Sequence, residues 1–226
     1  QQLRKEGLTD KEIMSELKKP ALRKIFTWKG EKEVEISIMD SVLHHLQFLQ
    51  AGFLAMNPES GDVKAWVGGI NHQFFQYDHV RESTKRQVGS TFKPVVYAAA
   101  IEQGISPCDY TSGRKTSYTN MEDWTPENTA DDSYDQKYSM EGALAGSVNT
   151  VSVKLLERTG ISNAIATAER MGITSELPAV PSLALGTASI SVMEMVGAYA
   201  VFANQGNYVA PRFITSITTS KGVALE

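Results

Sequence analysis

Apolar residues fall on several rhythms along this chain, and each predicts a different element. In Ser41–Gln50 (SVLHHLQFLQ), Leu43, Leu46 and Leu49 recur every third position, the spacing of one helix face. In Glu33–Ile38 (EVEISI), apolar and charged residues alternate, as along a half-exposed strand. Ala51–Gly69 (AGFLAMNPESGDVKAWVGG) holds two apolar runs around NPESGD, a cluster of turn formers, and predicts a β-hairpin. Its first strand is apolar on both faces at Phe53–Met56, so its sheet should be covered by helices. Leu8–Lys19 (LTDKEIMSELKK) predicts a short helix, with Thr9 and Glu12 spaced as a capping box and Pro20 following. Lys85–Gly104 (KRQVGSTFKPVVYAAAIEQG) predicts an apolar helix that becomes regular near Pro94 and stops at Gly104. Residues 105–138 are polar, a loop long enough to be functional or disordered. Helical patterns then return. SMEGALAG breaks near Ser147, TVSVKLLERTG ends at Gly160, NAIATAERMG ends at Gly172, and Ser191–Gly206 forms one more. PRFITSITTSKGVAL predicts a strand, a turn and the start of another strand. No internal repeat is present.

Composition narrows the class. A hydrophobic share of 42% in 226 residues is enough to fill a core. The net charge of −4, with no basic stripe, argues against nucleic acid as a partner. Cys108 is the only cysteine, so no internal disulfide can form; this fits the cytosol and a disulfide-free extracytoplasmic domain equally. No apolar run approaches the roughly 18 residues of a membrane span. The chain opens Gln1-Gln2 without an initiator methionine and reads as a segment of something longer; Leu225-Glu226 reads either as native or as a vector scar.

The chemistry centres on one short pattern. A serine followed three residues later by a lysine occurs at Ser15-Lys18, Ser90-Lys93 and Ser112-Lys115. The first and third lie in polar surroundings and read as chance. At Ser90, Gly89 removes a side chain where a ligand could approach, and positions three apart share a helix face. A helix N-terminus and the apolar neighbours Val88, Phe92, Val95 and Val96 both disfavour a proton on Lys93. A neutral amine can act as a general base, and a serine hydroxyl needs one to become a nucleophile. The bland alternative is that Ser90 caps the helix beside a surface lysine. Ser147-Val148-Asn149, at the break between two helical runs, could relay a proton and hold an amide; the alternative there is an N-cap at Ser147 with Asn149 exposed.

Taken in order, these segments resemble the transpeptidase domain of class A penicillin-binding proteins, the bifunctional peptidoglycan synthases. The segments are LQAGFLAMNPESGDVKAWVGG, RQVGSTFKPVVYAAAIEQG, WTPEN, ALAGSVNTVSVKLLERTG and LALGTASISVMEMVGAYAVFANQGNYVAP, and the resemblance covers residues 41–222. It implies an α/β (α+β) fold like that of serine β-lactamases, a helical subdomain with an incomplete antiparallel sheet. Residues 41–226 would be the domain, and residues 1–40 a tether from a glycosyltransferase domain of a membrane-anchored parent. On this resemblance Ser90 is the acylated nucleophile, Lys93 its base and Ser147 a proton shuttle to the leaving group. Asn149 binds the substrate amide, Trp124 lines the cleft, and the Ser90 N–H is half of an oxyanion hole. The implied partners are D-Ala-D-Ala stem peptides and β-lactams, with no cofactor or metal, on the extracytoplasmic face of a bacterial inner membrane. The family's Lys-Thr-Gly motif is absent; Lys221-Gly222 does not replace it. Slower acylation is therefore expected, and a sheet edge open to association. A β-lactamase, a β-lactam-sensing or scaffold module without turnover, and a cytosolic helix-rich binding protein are the competing readings.

Overall fold

The structure, a computed structural model, describes residues 7–119, 123–129 and 134–225; Gln1, Gln2 and Glu226 lie outside the described residues. The chain divides into two compact units, Gln1–Gly52 with Gly68–His79, and Phe53–Val67 with Val80–Glu226.

In the first unit, helix α1 (Asp10–Leu17) carries the expected capping box, with Thr9 N–H donating to Glu12 Oε2 at 2.8 Å. Strands β1 (Ala21–Thr27) and β2 (Gly30–Ile36) form an antiparallel hairpin, with Ala21 opposite Ile36 and Thr27 opposite Gly30. The charged pair Arg23-Lys24 hides β1 from a pattern reading. Helix α2 (Ile38–Leu46) starts three residues before the leucine spacing suggests, because Ser37 caps it: its Oγ accepts from Asp40 N–H at 3.1 Å. Phe26 gathers Trp28, Phe48, Phe74 and Phe75 at ring-centroid distances of 5.0 to 6.0 Å. The residues expected as a tether contribute α1 and the hairpin to this unit.

The second unit opens with β3 (Phe53–Met56) and β4 (Val63–Val67), the expected hairpin. Asn57 Oδ1 closes its turn by accepting from the N–H groups of Glu59 and Ser60 at 2.8 and 2.9 Å. Next come β5 (Lys85–Gln87), a 3₁₀ turn (Gly89–Phe92) and helix α3 (Lys93–Glu102). β6 (Thr111–Ser112) and β7 (Lys137–Tyr138) pair across the long loop. Helices α4 (Met140–Ala145), α5 (Asn149–Thr159) and α6 (Ile161–Arg170) follow, then a 3₁₀ turn (Pro181–Leu185). β8 (Ser189–Ser191), α7 (Val192–Ala203), β9 (Ile217–Thr218) and β10 (Ala224–Leu225) complete the unit. Helix α7 lies against β3, as the two-sided apolar pattern of that strand requires.

The core forms around α3, which is apolar on most of its circumference. Val95, Val96, Ala99 and Ala100 are fully buried where α3 packs on α5 and α6. Burying such a helix on all sides fixes the position of its first turn. That turn carries the candidate site. The described strands form five separate two-stranded antiparallel pairs: β1–β2, β3–β4, β5–β8, β6–β7 and β9–β10. The FITSIT segment accordingly forms its own small hairpin with β10. Arg212, just before it, bonds Gly61 and Val63 of the β3–β4 hairpin, and Phe213, its first residue, meets Trp66 at 5.3 Å.

Candidate active site

The turn that carries Ser90 is held from behind. Val88 N–H donates to Ala188 O at 3.2 Å and Gly89 N–H to Gly186 O at 3.0 Å, extending the β5–β8 pairing. Gly89 has φ +57° and Gly186 φ +68°, both left-handed. A Cβ on Gly186 would sit 2.6 and 2.7 Å from Gly89 C and N, and closer still to its carbonyl oxygen. A Cβ on Gly89 would meet nothing within 4 Å. Backbone conformation thus favours glycine at 89, and crowding adds to conformation at 186. The outer side of Gly89 stays open beside an exposed Ser90.

Ser90 caps no helix: neither the 3₁₀ turn nor α3 has a side-chain cap. Its Oγ instead lies 3.1 Å from Ser147 Oγ. Lys93 is fully buried. Its Nζ donates to Ser147 O at 2.7 Å, to Ser147 Oγ at 3.0 Å and to Asn149 Oδ1 at 2.6 Å. The Lys93 N–H donates to Ser90 O, but among the described residues the Lys93 amine makes no direct hydrogen bond to the Ser90 hydroxyl, although the i,i+3 spacing suggests one. Ser147 stands between them, and the link runs Ser90–Ser147–Lys93. Burial pushes the Lys93 amine down to about 8. The chance pair Ser112-Lys115 behaves otherwise: Lys115 turns to Glu127 at 3.2 Å, and Ser112 Oγ accepts from Arg114 N–H.

Ser147 reaches this place through a left-handed residue. Helix α4 ends at Ala145 with Gly146 as its C-cap, and Ser147 follows with φ +49°. A non-glycine residue there costs on the order of 1 kcal/mol. That conformation reverses the chain into α5 within three residues and aims the hydroxyl at Ser90 and Lys93. The N-cap alternative for Ser147 does not hold, since Val148 occupies the cap position of α5 with no side-chain bond. Asn149 is not left exposed either: its Oδ1 meets Lys93, and its Nδ2 donates to Glu127 O at 2.6 Å.

Trp124 is half-buried and packs on Tyr118 at 5.6 Å between ring centroids, with its carbonyl accepting from Tyr118 N–H at 2.8 Å. The WTPEN loop reaches the site through its other end, the Glu127 carbonyl and the Asn128 side chain. Sequence reasoning passed over both, although they were inside the stretch already singled out. A groove of about 480 Å³ runs beside the Ser90 turn, lined by Val88, Thr91, Ile190, Met195, Val196 and Tyr199. It does not include Ser90, Lys93 or Ser147. No cluster of metal-ligating side chains exists among the described residues.

The chain is similar to known proteins over most of its length. Residues 51–224 match the penicillin-binding protein transpeptidase domain, and residues 1–49 match the penicillin-binding protein middle domain. Penicillin-binding protein 2D of Bacillus subtilis is 37% identical over 180 residues, covering 78% of this chain and 26% of that protein. Penicillin-binding protein 1A of Aquifex aeolicus is 34% identical over 185 residues, covering 79% of this chain and 24% of that protein. The chain thus spans about a quarter of the length of these relatives. The crystal structure of penicillin-binding protein 1A from Haemophilus influenzae superposes with a TM-score of 0.73 at 26% identity, over 91% of this chain and 30% of that one. PonA1 from Mycobacterium tuberculosis, solved in complex with penicillin V, shares the fold, with a TM-score of 0.67 at 21% identity over 99% of this chain and 61% of that one. With a family match at residues 51–224, more than half its length, the chain belongs to the penicillin-binding protein transpeptidase family.

Proposed function

We propose that this chain carries the acyl-transfer site of a peptidoglycan D,D-transpeptidase. The observation that carries the reading is the continuous hydrogen-bonded line from an exposed serine hydroxyl, through a second hydroxyl, to a buried amine of lowered proton affinity. With Lys93 neutral, its lone pair accepts from Ser147, and Ser147 accepts from Ser90. Ser90 Oγ then attacks the carbonyl carbon of the penultimate D-alanine, and its proton passes through Ser147 to Lys93. The same line, run in reverse, returns the proton to the departing amine as the C–N bond breaks and D-alanine leaves. An amino group from a neighbouring stem peptide then attacks the ester and regenerates Ser90. Asn149 keeps spare capacity, because a carboxamide has two N–H groups and two oxygen lone pairs. One of each is free to meet a substrate amide. Trp124, on the far side of the same loop, borders this position at most indirectly.

The Ser90 N–H sits in the first turn of the 3₁₀ element, where backbone N–H groups lack intrahelical partners, and serves as one oxyanion donor. These 226 residues contain no Lys-Thr-Gly sequence to furnish a second. Losing one donor slows acylation by on the order of 10² to 10³.

The site favours a synthase over a β-lactamase. Fast deacylation needs a carboxylate holding water near the ester, whereas Glu127 turns its carboxylate to Lys115. A parent protein acting at the extracytoplasmic face of the membrane fits the substrate; no helix among the described residues is long and apolar enough to cross a membrane. The test is to label the protein with a β-lactam, remove excess and follow the adduct, then supply a stem-peptide donor with an amine acceptor. A persistent adduct with transfer to the amine supports the proposal. Rapid loss of label would indicate a β-lactamase, and a persistent label without transfer a sensor or scaffold.

A further inference from the structure

At its last residue the loop Trp124–Asn128 is fastened to helix α5 by the Asn128 side chain. Asn128 Oδ1 accepts from Thr150 N–H at 3.0 Å, and Asn128 Nδ2 donates to Thr150 Oγ1 at 3.2 Å. Two bonds of opposite polarity to one residue fix which way round the Asn128 carboxamide lies, since a flip would set donor against donor at the backbone. Thr150 is itself fully buried, and its hydroxyl donates onward to Gly113 O at 2.8 Å. The Asn128 N–H donates to Tyr134 Oη at 2.9 Å. The loop is therefore held on both sides of its last residue.

One position earlier, the Glu127 carbonyl meets Asn149 Nδ2 at 2.6 Å. A carboxamide has one donating end and one accepting end. Committing Nδ2 to Glu127 leaves Oδ1 to face the Lys93 amine at 2.6 Å. Rotated by half a turn, Asn149 would set its NH₂ against the ammonium and its oxygen against the Glu127 carbonyl, two repulsive contacts. The orientation of a residue that touches the base is thus decided by a carbonyl outside the Ser-x-x-Lys and Ser-x-Asn patterns. That carbonyl is held in place by Asn128.

We infer that Asn128 is a positioning residue for Lys93, acting through the Glu127 carbonyl and the Asn149 carboxamide. This rests on Lys93 being the base of the proposed reaction, and it adds a residue to that machinery. No carboxylate forms an ion pair with Lys93 among the described residues, and the nearby Glu127 side chain is engaged with Lys115. The neutral acceptors on Ser147 and Asn149 are therefore the polar groups that set its proton affinity against burial.

The experiment reads Lys93 directly and does not depend on turnover. Lysine is labelled with ¹³C at Cε, the Lys93 signal is assigned by its loss in Lys93→Arg, and its titration is followed in the intact chain. The parent is compared with Asn128→Ala, Asn149→Ala and the double variant. Asn149→Ala removes an acceptor from the ammonium and Asn128→Ala frees that acceptor to turn away, so each should lower the Lys93 pKa by about one unit. The double variant should titrate with Asn149→Ala, because Asn128 works through Asn149. Thr150→Val keeps the N–H bond and deletes the hydroxyl; it should move Lys93 the same way by less, and it decides the matter if Asn128→Ala does not fold. An unmoved Lys93 in Asn128→Ala, or an Asn128→Ala shift that persists undiminished when Asn149 is absent, overturns the positioning role alone. A parent Lys93 that titrates with the other lysines overturns the base assignment and, with it, this inference.

Discussion

Two buried ionisable side chains in the same unit are treated in opposite ways. Glu194 accepts from the N–H groups of Thr174, Ser175 and Ser191 at 3.0, 2.7 and 3.0 Å, and from their three hydroxyls at 2.8 to 3.0 Å. Burial alone would raise its pKa, but the bonds from Ser191 and Ser175 outweigh it and hold the carboxyl at about 2. Its charge is fixed. It closes the capping box of α7 and ties that helix to the chain twenty residues earlier. Lys93 is just as deeply buried, yet it has three neutral acceptors, and burial wins, bringing it to about 8. Burial opposes charge in both cases. The number of partners decides whether the group keeps its charge or is able to lose its proton near neutral pH.

The largest effect that sharpens this contrast is expected at Lys93. Lys93→Ala should lower β-lactam acylation by about 10²- to 10⁴-fold, and Lys93→Arg should fail as well because a guanidinium stays charged. Stopped-time labelling reads both. An arginine variant at the parent rate would remove the lysine from the mechanism. At the anchor, Glu194→Gln places an NH₂ among donors and should cost about 2 to 4 kcal/mol in denaturant unfolding, with the pH midpoint of acylation unmoved. A midpoint that shifted with Glu194 would mean the two groups are not separate devices.

The pH dependence of stability should separate them again, each contributing up to about 3 kcal/mol. Glu194 is depressed below its ordinary 4.5, so its contribution is complete above that value and is lost as pH falls towards 2. Lys93 is depressed below its ordinary 10.5, so between about 8 and 10.5 the unfolded chain binds the extra proton and stability rises with pH. Unfolding curves of the parent, Glu194→Gln and Lys93→Met across both windows check this: each variant should flatten its own window only. The smallest effect is at Gly89. Gly89→Ala faces open space, so it should cost only about 1 kcal/mol for a left-handed alanine, leaving both titrations where they are.

Local chemistry made part of this legible in the sequence. The helices and their glycine stops, the β3–β4 hairpin and the pairing of Ser90 with Lys93 on one turn all follow from residues within a few positions of each other. The break at Ser147 was visible as an interruption. That Ser147 lies between Ser90 and Lys93 was not, because it depends on a left-handed φ and on α3 packing against α5. β5 and β8 are three residues each, too short to show a period, so the support that Gly186 gives Gly89 was hidden. Asn128 and Thr150 lie 22 positions apart, and Glu194 and Ser175 lie 19 apart. Neither tie leaves a pattern in a single sequence.

The proposed mechanism makes Ser90 the nucleophile and Lys93, reached through Ser147, its base. The most direct measurement is mass-spectrometric peptide mapping of the protein after timed exposure to one β-lactam over a range of pH. An adduct on Ser90 is expected, formed at a rate that rises with pH through about 8 as Lys93 loses its proton. An adduct on Ser147, Ser15 or Ser112, or a Ser90 adduct whose rate is flat across that range, would contradict it.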